Sequence, residues 1–150
     1  MTVPDRQPAD VLAEVDDWPV DTVAATVVRP DGTTVGHGDT STVFALASVS
    51  KLITAYTVLC AVAEGCFELD DTVADVAVET GHDVDGPQDA TVRELLAHAS
   101  GVGFRGRTRE RDACTRRIYS SAGFEILADL VSATVGEVDL DFAGYARATV

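Results

Sequence analysis

The stretch SVSKLITAYTVLCAVAEG, residues 48–65, determines how the rest of the chain is interpreted. Its apolar residues recur at helical spacing and cover most of the circumference, and Gly65 follows where a left-handed C-terminal cap is expected. The stretch is therefore predicted to form a helix. Because this helix is apolar on nearly every side, we expect it to be mostly buried inside a domain.

A serine and a lysine three residues apart open this helix. Helical spacing places both side chains on one face, with Cβ atoms ~5–6 Å apart, so the Lys51 amine can reach the Ser48 hydroxyl. The free N–H groups and the positive dipole end of a helix N-terminus favour negative charge developing on Ser48. They disfavour a structural cation at Lys51, which indicates an amine that accepts a proton.

Lys51 is also the one lysine among the 11 basic residues, since the other ten are arginines. One explanation is a biased base composition of the coding sequence, which replaces lysines generally and leaves a single lysine at this position by chance. Alternatively, lysine is kept here because arginine stays protonated and cannot act as a base. Ser-x-x-Lys is a weak motif by itself, but its place at the start of a buried helix, just after a hairpin, strengthens it.

Both helices and strands are predicted elsewhere in the sequence. A short amphipathic helix is predicted within residues 9–18, and strands at 21–28 and 33–37 are predicted to pair as a hairpin. Residues 69–78 are acidic and are expected to form a surface loop. Three later helices are predicted: one from the capping box of Thr91 and Glu94 through His98, one over 122–134 stopped by Gly136, and one from about 141 to the end.

Composition restricts the classes of protein to consider. The chain has 150 residues, a length typical of one domain, and 46% of them are hydrophobic. With 25 acidic and 11 basic side chains the net charge is −14, which argues against nucleic-acid or anionic-membrane binding. No apolar stretch approaches the ~20 residues of a membrane helix, and no export signal is recognised. Three cysteines cannot all pair within one chain and indicate free thiols in a reducing cytoplasm.

Three segments resemble the serine β-lactamase-related family, which includes class C β-lactamases, D-alanyl-D-alanine carboxypeptidases and β-lactamase-like esterases. They occur in the family's order: FALASVSKLIT at residues 44–54, TVRELLAHASGV at 91–102 and RIYSSAGF at 117–124. The first is similar to the active-site segment, the second to a helix ending in His-x-Ser-Gly, and the third to a Tyr-x-Asn region. The resemblance runs from the hairpin to Val150.

The resemblance implies a role for each matched residue. Ser48 would be the nucleophile that forms an acyl-enzyme, and its own backbone N–H would supply one oxyanion donor. Lys51 would help to deprotonate Ser48. Tyr119 would be the second acid/base and would relay the proton to the leaving group. Ser121, at the substrate-binding position, stands where the family pattern has asparagine; it retains a hydrogen-bonding hydroxyl on a shorter side chain.

One further part of the family pattern is not found. The resemblance implies a later strand that carries Lys-Thr-Gly or His-x-Gly, and no such tripeptide follows Tyr119. The expected fold is therefore an incomplete α/β fold of the β-lactamase/penicillin-binding-protein (DD-peptidase-like) type, in which an N-terminal helix and hairpin precede a helical region. Residues 1–150 are interpreted as one partial domain, the first part of such an enzyme.

Other polar residues leave alternatives open. His98 is interpreted as a structural hydrogen-bonding residue at a helix end rather than a catalytic base. His37 and His82 have no partner spacing, so no metal site or cofactor is predicted. Six arginines between residues 104 and 117 form either a solvated loop or a rim that attracts carboxylate-bearing substrates; they are Arg105, Arg107, Arg109, Arg111, Arg116 and Arg117.

The sequence thus predicts a cytoplasmic serine hydrolase that acts on a small-molecule ester, amide or lactam, of esterase, β-lactamase or D-Ala-D-Ala carboxypeptidase type. The competing hypothesis is a truncated or degenerate relative without catalytic activity. An activity-based probe on the purified chain discriminates between them.

Overall fold

The computed structural model describes residues 6–135 and 140–150. They divide into two compact units, of which the first ends at Ala45 and the second begins at Leu46. The interpretation of residues 1–150 as one partial domain stays a prediction.

The first unit opens with a short helix, α1 (Pro8–Leu12), that continues as a 3-10 turn over Ala13–Asp17. Pro8 occupies the first helical turn, where a missing N–H costs nothing. Leu12 and Val15 are buried as helical spacing predicts. The helix predicted within residues 9–18 is therefore present, although its second half has the tighter 3-10 geometry.

The hairpin consists of β1 (Ala24–Val28) and β2 (Thr34–Gly38), which pair antiparallel from Ala24 opposite Gly38 to Val28 opposite Thr34. Gly32 in the connecting turn has a φ of 83°, a conformation that favours glycine. The predicted hairpin is confirmed, with a first strand that begins three residues later than the sequence suggested.

Helices make up the second unit. α2 spans Ser50–Ala63 after a 3-10 turn at Ala47–Val49, and α3 spans Val73–Thr80. They are followed by α4 (Val92–Leu96), α5 (Ser121–Val135) and α6 (Phe142–Thr149). α5 packs against the other four helices of this unit. Its side chains Ile126, Leu127, Leu130 and Val131 are fully buried and form the centre of the core.

α2 is less buried than its composition predicts. Only Thr57, Val58 and Ala61 are buried, whereas Leu52 and Tyr56 are 74% and 56% exposed. The expectation of a mostly buried helix is therefore wrong for the described residues. α5 and α6 cover one side of α2, and an apolar composition does not specify how many sides are covered. The predicted cap is present, since Gly65 has a φ of 79°.

Residues 69–78 do not form the predicted surface loop. Thr72 caps α3 by accepting a hydrogen bond from the Asp75 N–H, and the Asp75 carboxylate accepts one from the Thr72 N–H. Val73 and Val76, three residues apart, bury one face of the helix. The acidic side chains of this segment lie on the solvent side of the helix. The acidic composition alone therefore suggests a surface loop and does not indicate α3.

The later helices agree with the sequence. Thr91 and Glu94 form the predicted capping box, although α4 ends at Leu96 rather than at His98. α5 and α6 lie where helices were predicted. The expectation that Gly136 ends α5 falls outside the described residues.

Candidate active site

The Lys51 amine lies among the side chains that the sequence singled out. Lys51 Nζ is 3.4 Å from Ser48 Oγ, 3.1 Å from Ser121 Oγ and 5.0 Å from the centre of the Tyr119 ring. All four residues belong to the second unit. The placement of Lys51 beside Ser48, with Tyr119 approaching from a non-helical segment, is the one that the sequence predicted. The contact between Lys51 and Ser121 was not predicted from the sequence.

The local backbone explains how Ser48 and Lys51 come to share a side. Ser48 lies in the 3-10 turn, so α2 begins at Ser50 instead of at Ser48. The Ser50 hydroxyl donates to the Ala47 carbonyl at 2.6 Å, which holds this first turn tight. In 3-10 geometry residues three apart eclipse one another, so the Ser48–Lys51 spacing still brings the two side chains together.

Ala47, the residue before the serine, has a left-handed backbone with a φ of 45°. This conformation costs a residue with a Cβ ~1–2 kcal/mol. Backbone strain of this kind clusters at functional sites, where it fixes the direction of a reactive side chain. The exposed Ser48 hydroxyl therefore projects from a strained turn at the start of a rigid helix.

Ser121, the first residue of α5, is a direct partner of the lysine. Its hydroxyl accepts a hydrogen bond from Lys51 Nζ in a half-buried position. The family pattern has asparagine here, and the shorter serine still reaches the amine. The Lys51 stem also passes the Phe124 ring, whose centre is 5.9 Å from Nζ. Ser121, which lies 70 positions after Lys51 in the sequence, thus helps to hold the amine in place.

The Tyr119 phenol is electrostatically linked to this pair. Hydrogen bonding by the Ser48 side chain lowers the pKa of Tyr119, and the hydrogen bond and positive charge of Lys51 lower it further. These effects outweigh the desolvation that acts in the opposite direction. A phenol whose pKa is lowered exchanges protons more readily near neutral pH.

Aromatic rings and backbone contacts support Tyr119. The Phe104 ring lies 6.1 Å from the Tyr119 ring and the His98 ring 4.7 Å from it. His98 is buried, and its Nδ1 accepts a hydrogen bond from the Ser120 N–H at 3.1 Å. The interpretation of His98 as a structural hydrogen-bonding residue agrees with this geometry.

Comparison with known protein families identifies the chain. The model of the family described as Beta-lactamase matches residues 20–141, which include every residue of the site. The chain belongs to the beta-lactamase family. Members of this serine β-lactamase-related family are generally hydrolytic serine enzymes. The hairpin and helices described above are the mixed α/β structure expected for the N-terminal part of that fold. No curated protein matches the chain.

The arginine segment of this beta-lactamase family member divides into two groups. Arg107 pairs with Asp129 at 2.6 Å, and Arg109 pairs with Asp89 at 2.6 Å and donates to the Ser100 carbonyl. These two arginines fasten their segment to the rest of the unit. Within the described residues, no ion pair involves the other four, of which Arg105 stacks on Phe104.

Three of those four arginines border a cavity beside the catalytic candidates. The cavity has a volume of about 330 Å³ and is lined by Glu110, Arg111, Arg116, Arg117, Ile118 and Tyr119. A second cavity, of about 230 Å³, adjoins Lys51 and Ser121. Three guanidinium groups against one carboxylate make the first cavity cationic within an acidic protein. The sequence offered a solvated loop or a site rim. The ion pairs of Arg107 and Arg109 match neither alternative, and a substrate-attracting rim at the cavity stays a prediction.

The remaining polar residues have local partners. His37 pairs with Asp16 at 2.9 Å, and the His82 ring nitrogen lies 3.0 Å from the Thr80 carbonyl. Across residues 6–135 and 140–150, no group of three or more metal-ligating side chains lies together. Cys60, Cys66 and Cys114 are unpaired. No helix in the described part of the chain is long and apolar enough to cross a membrane.

Proposed function

We propose that this chain is a serine hydrolase that forms an acyl-enzyme at Ser48 and acts on a small-molecule ester, amide or lactam. The observation that carries the proposal is the position of Lys51 Nζ, within 3.4 Å of the Ser48 hydroxyl and 3.1 Å of the Ser121 hydroxyl. A neutral amine there can donate to Ser121 and accept the Ser48 proton, so Ser121 orients the base toward the nucleophile.

The acylation step follows from this arrangement. Ser48 Oγ bonds to the carbonyl carbon of the substrate while its proton passes to Lys51. The bond from that carbon to the leaving oxygen or nitrogen then breaks. Tyr119 gives its proton to the leaving group and regains one from Lys51, so both groups return to their starting protonation states. The lowered pKa of Tyr119 suits it to this relay. The Ser48 N–H would stabilise the oxyanion in between.

Deacylation uses the same groups in reverse. Water adds to the acyl carbon as one of its protons passes to the base, the bond from that carbon to Ser48 Oγ breaks, and Ser48 recovers its proton. The products are a carboxylic acid and the free enzyme. No metal or cofactor takes part in this proposed sequence.

The arginine-lined cavity favours an anionic substrate. Arg111, Arg116 and Arg117 border it directly beside Tyr119. A guanidinium presents two parallel N–H donors that match a carboxylate. We therefore propose that the preferred substrate carries a carboxylate on the side of the scissile bond that faces this cavity.

We also propose a cytoplasmic location. Cys60, Cys66 and Cys114 are all unpaired, and free thiols persist in a reducing compartment.

Labelling with a fluorophosphonate or β-lactam probe, followed by peptide mapping, tests the function. We expect slow stoichiometric modification at Ser48, its loss in Ser48→Ala and a strong decrease in Lys51→Ala. Ser41→Ala, which alters an exposed turn of the first unit, is the matched control and should label as the parent does. A folded chain that forms no adduct at Ser48 with either probe would support the alternative of a non-catalytic relative.

A further inference from the structure

We propose that His98 is a positioning residue that holds the Tyr119 phenol against Ser48 and Lys51, and that it does so only as a neutral imidazole whose Nδ1 accepts a hydrogen bond. The proposal rests on the proposed function for the role of Tyr119. The evidence that His98 positions Tyr119 comes from the contacts of His98 itself.

His98 contacts three consecutive residues around the phenol. Its backbone carbonyl accepts a hydrogen bond from the Ile118 N–H at 2.9 Å, and its Nδ1 accepts one from the Ser120 N–H at 3.1 Å. Between these two bonds, its ring packs on Tyr119 with 4.7 Å between centroids. The residue before the phenol, the phenol itself and the residue after it are therefore all fixed by one histidine.

The segment that carries Tyr119 depends on such contacts. Residues 117–120 form neither helix nor strand, so no regular backbone pattern sets the direction of the phenol. His98 is itself well anchored, because it is 6% exposed and its ring lies 5.0 Å from that of Phe124 on α5. Because the His98 ring is packed into the core in this way, its contact with Tyr119 restricts the positions that the phenol can adopt.

His98 also has an unusual backbone conformation. Its φ of 58° is left-handed, a conformation that residues other than glycine adopt only in a small fraction of cases. In that conformation the carbonyl and the ring can both face the 118–120 segment. Strain that the surrounding contacts maintain is a feature of functional sites.

Protonation would destroy this arrangement. In the charged imidazolium both ring nitrogens are donors, so Nδ1–H would oppose the Ser120 N–H. Besides the Tyr119 phenol, which packs on the ring, the charged groups that face it are Arg117 and Lys51, and these two cations disfavour a third positive charge on His98. Burial lowers the pKa of His98, and the charges of Arg117 and Lys51 lower it further, so the neutral acceptor form prevails around neutral pH.

Two variants separate the acceptor from the ring. His98→Asn places a side-chain acceptor near the Nδ1 position, tolerates a left-handed backbone and does not titrate in this range. His98→Phe keeps a ring against Tyr119 but has no acceptor for the Ser120 N–H. We expect His98→Phe to lower the rate of Ser48 labelling about fivefold or more. The same variant should raise the pKa of the Tyr119 phenol toward that of an ordinary tyrosine. His98→Asn should recover a substantial part of both.

Nuclear magnetic resonance on the unmodified chain gives a second test that needs neither a variant nor activity. The His98 ring should show a protonated Nε2 and an unprotonated Nδ1 at neutral pH. The Ser120 amide signal should shift only below the ordinary histidine range, together with the His98 ring. A proton on Nδ1 at neutral pH would overturn the proposal. So would a Ser120 amide signal that does not shift when His98 becomes protonated.

The same measurements distinguish the two proposals from each other. If Ser48 fails to label while the Tyr119 titration still follows the His98 variants, the hydrolase function fails and the positioning stands. If Ser48 labels equally in the parent and in His98→Phe, with an unchanged Tyr119 titration, His98 does not position the phenol.

Discussion

Lys51 Nζ lies closer to the Ser121 hydroxyl, at 3.1 Å, than to the Ser48 hydroxyl, at 3.4 Å, although Ser48 is its neighbour on the same turn. The amine is thus held by the first residue of α5 as well as by the 3-10 turn that precedes α2. This contact links the residue that departs from the family pattern to the predicted base.

Ser121→Ala should consequently slow the acylation of Ser48. Removing one hydrogen bond to the amine is worth ~1–1.5 kcal/mol, which corresponds to roughly a five- to tenfold lower labelling rate. Ser121→Asn, which restores the family residue, should label at least as fast as Ser121→Ala. Equal labelling of Ser121→Ala and the parent would show that the contact does not orient Lys51.

Gly101 and Gly81 form a matched pair for a stability measurement. Both have a positive φ, but a Cβ at Gly81 meets open space, whereas a Cβ at Gly101 would overlap the Arg111 carbonyl oxygen. We expect Gly81→Ala to lower the free energy of unfolding by ~1 kcal/mol, the cost of the left-handed backbone alone. Gly101→Ala should cost clearly more, ~2–3 kcal/mol, because a backbone segment must also move. Urea unfolding of the two variants tests the difference.

Local patterns predicted much of this fold and site. The Ser48–Lys51 spacing and the Thr91–Glu94 capping box are each determined within one turn, so the sequence alone identifies them. The box at Thr72 is equally local, but it uses aspartate instead of glutamate and lies in a strongly acidic stretch whose composition favours a loop. The capping residues specify α3, whereas the acidic composition alone does not reveal it.

Long-range relationships could not be predicted in this way. Arg107 and Arg109 differ from their neighbours only because Asp129 and Asp89, about twenty residues away in sequence, lie beside them in space. The exposure of Leu52 likewise depends on which elements pack against α2. Sequence spacing carries no information about either relationship, because both depend on which distant segments of the chain pack together.

The arginine-lined cavity makes substrate charge a test. 4-Acetoxybenzoate should be cleaved faster than its methyl ester, and added salt should reduce the preference. Arg116→Gln should reduce the preference about fivefold, since an exposed ion pair is worth up to ~1 kcal/mol. Arg147→Gln on α6 makes the same charge change outside the cavity lining and is the control. Equal rates for the two esters would assign the cavity arginines to a solvated loop.

Tyr119 should ionise at lower pH than an ordinary tyrosine. Since hydrogen bonding by Ser48 and Lys51 stabilises the phenolate, removing either partner should raise the pKa of Tyr119 and move its titration to higher pH. Ultraviolet difference titration measures this, with Tyr119→Phe to assign the signal. Tyr145 gives an internal contrast, because burial and its hydrogen bond to Glu64 raise its pKa. A Tyr119 titration that is unchanged in both Ser48→Ala and Lys51→Met would contradict the coupling.

Replacing the lysine by arginine separates charge from basicity. Lys51→Arg keeps a positive charge near the oxyanion, so electrostatic stabilisation would largely survive. Arginine cannot release a proton at accessible pH, so it cannot take the proton of Ser48. General-base contributions are worth ~10²–10⁴-fold in rate, and we expect Lys51→Arg to lose Ser48 labelling almost as fully as Lys51→Ala. The double variant Ser48→Ala/Lys51→Arg should be hardly worse than Ser48→Ala in ester hydrolysis, since the two residues act as a unit. Near-full activity in Lys51→Arg would show that the lysine serves as a charge and that another group accepts the proton.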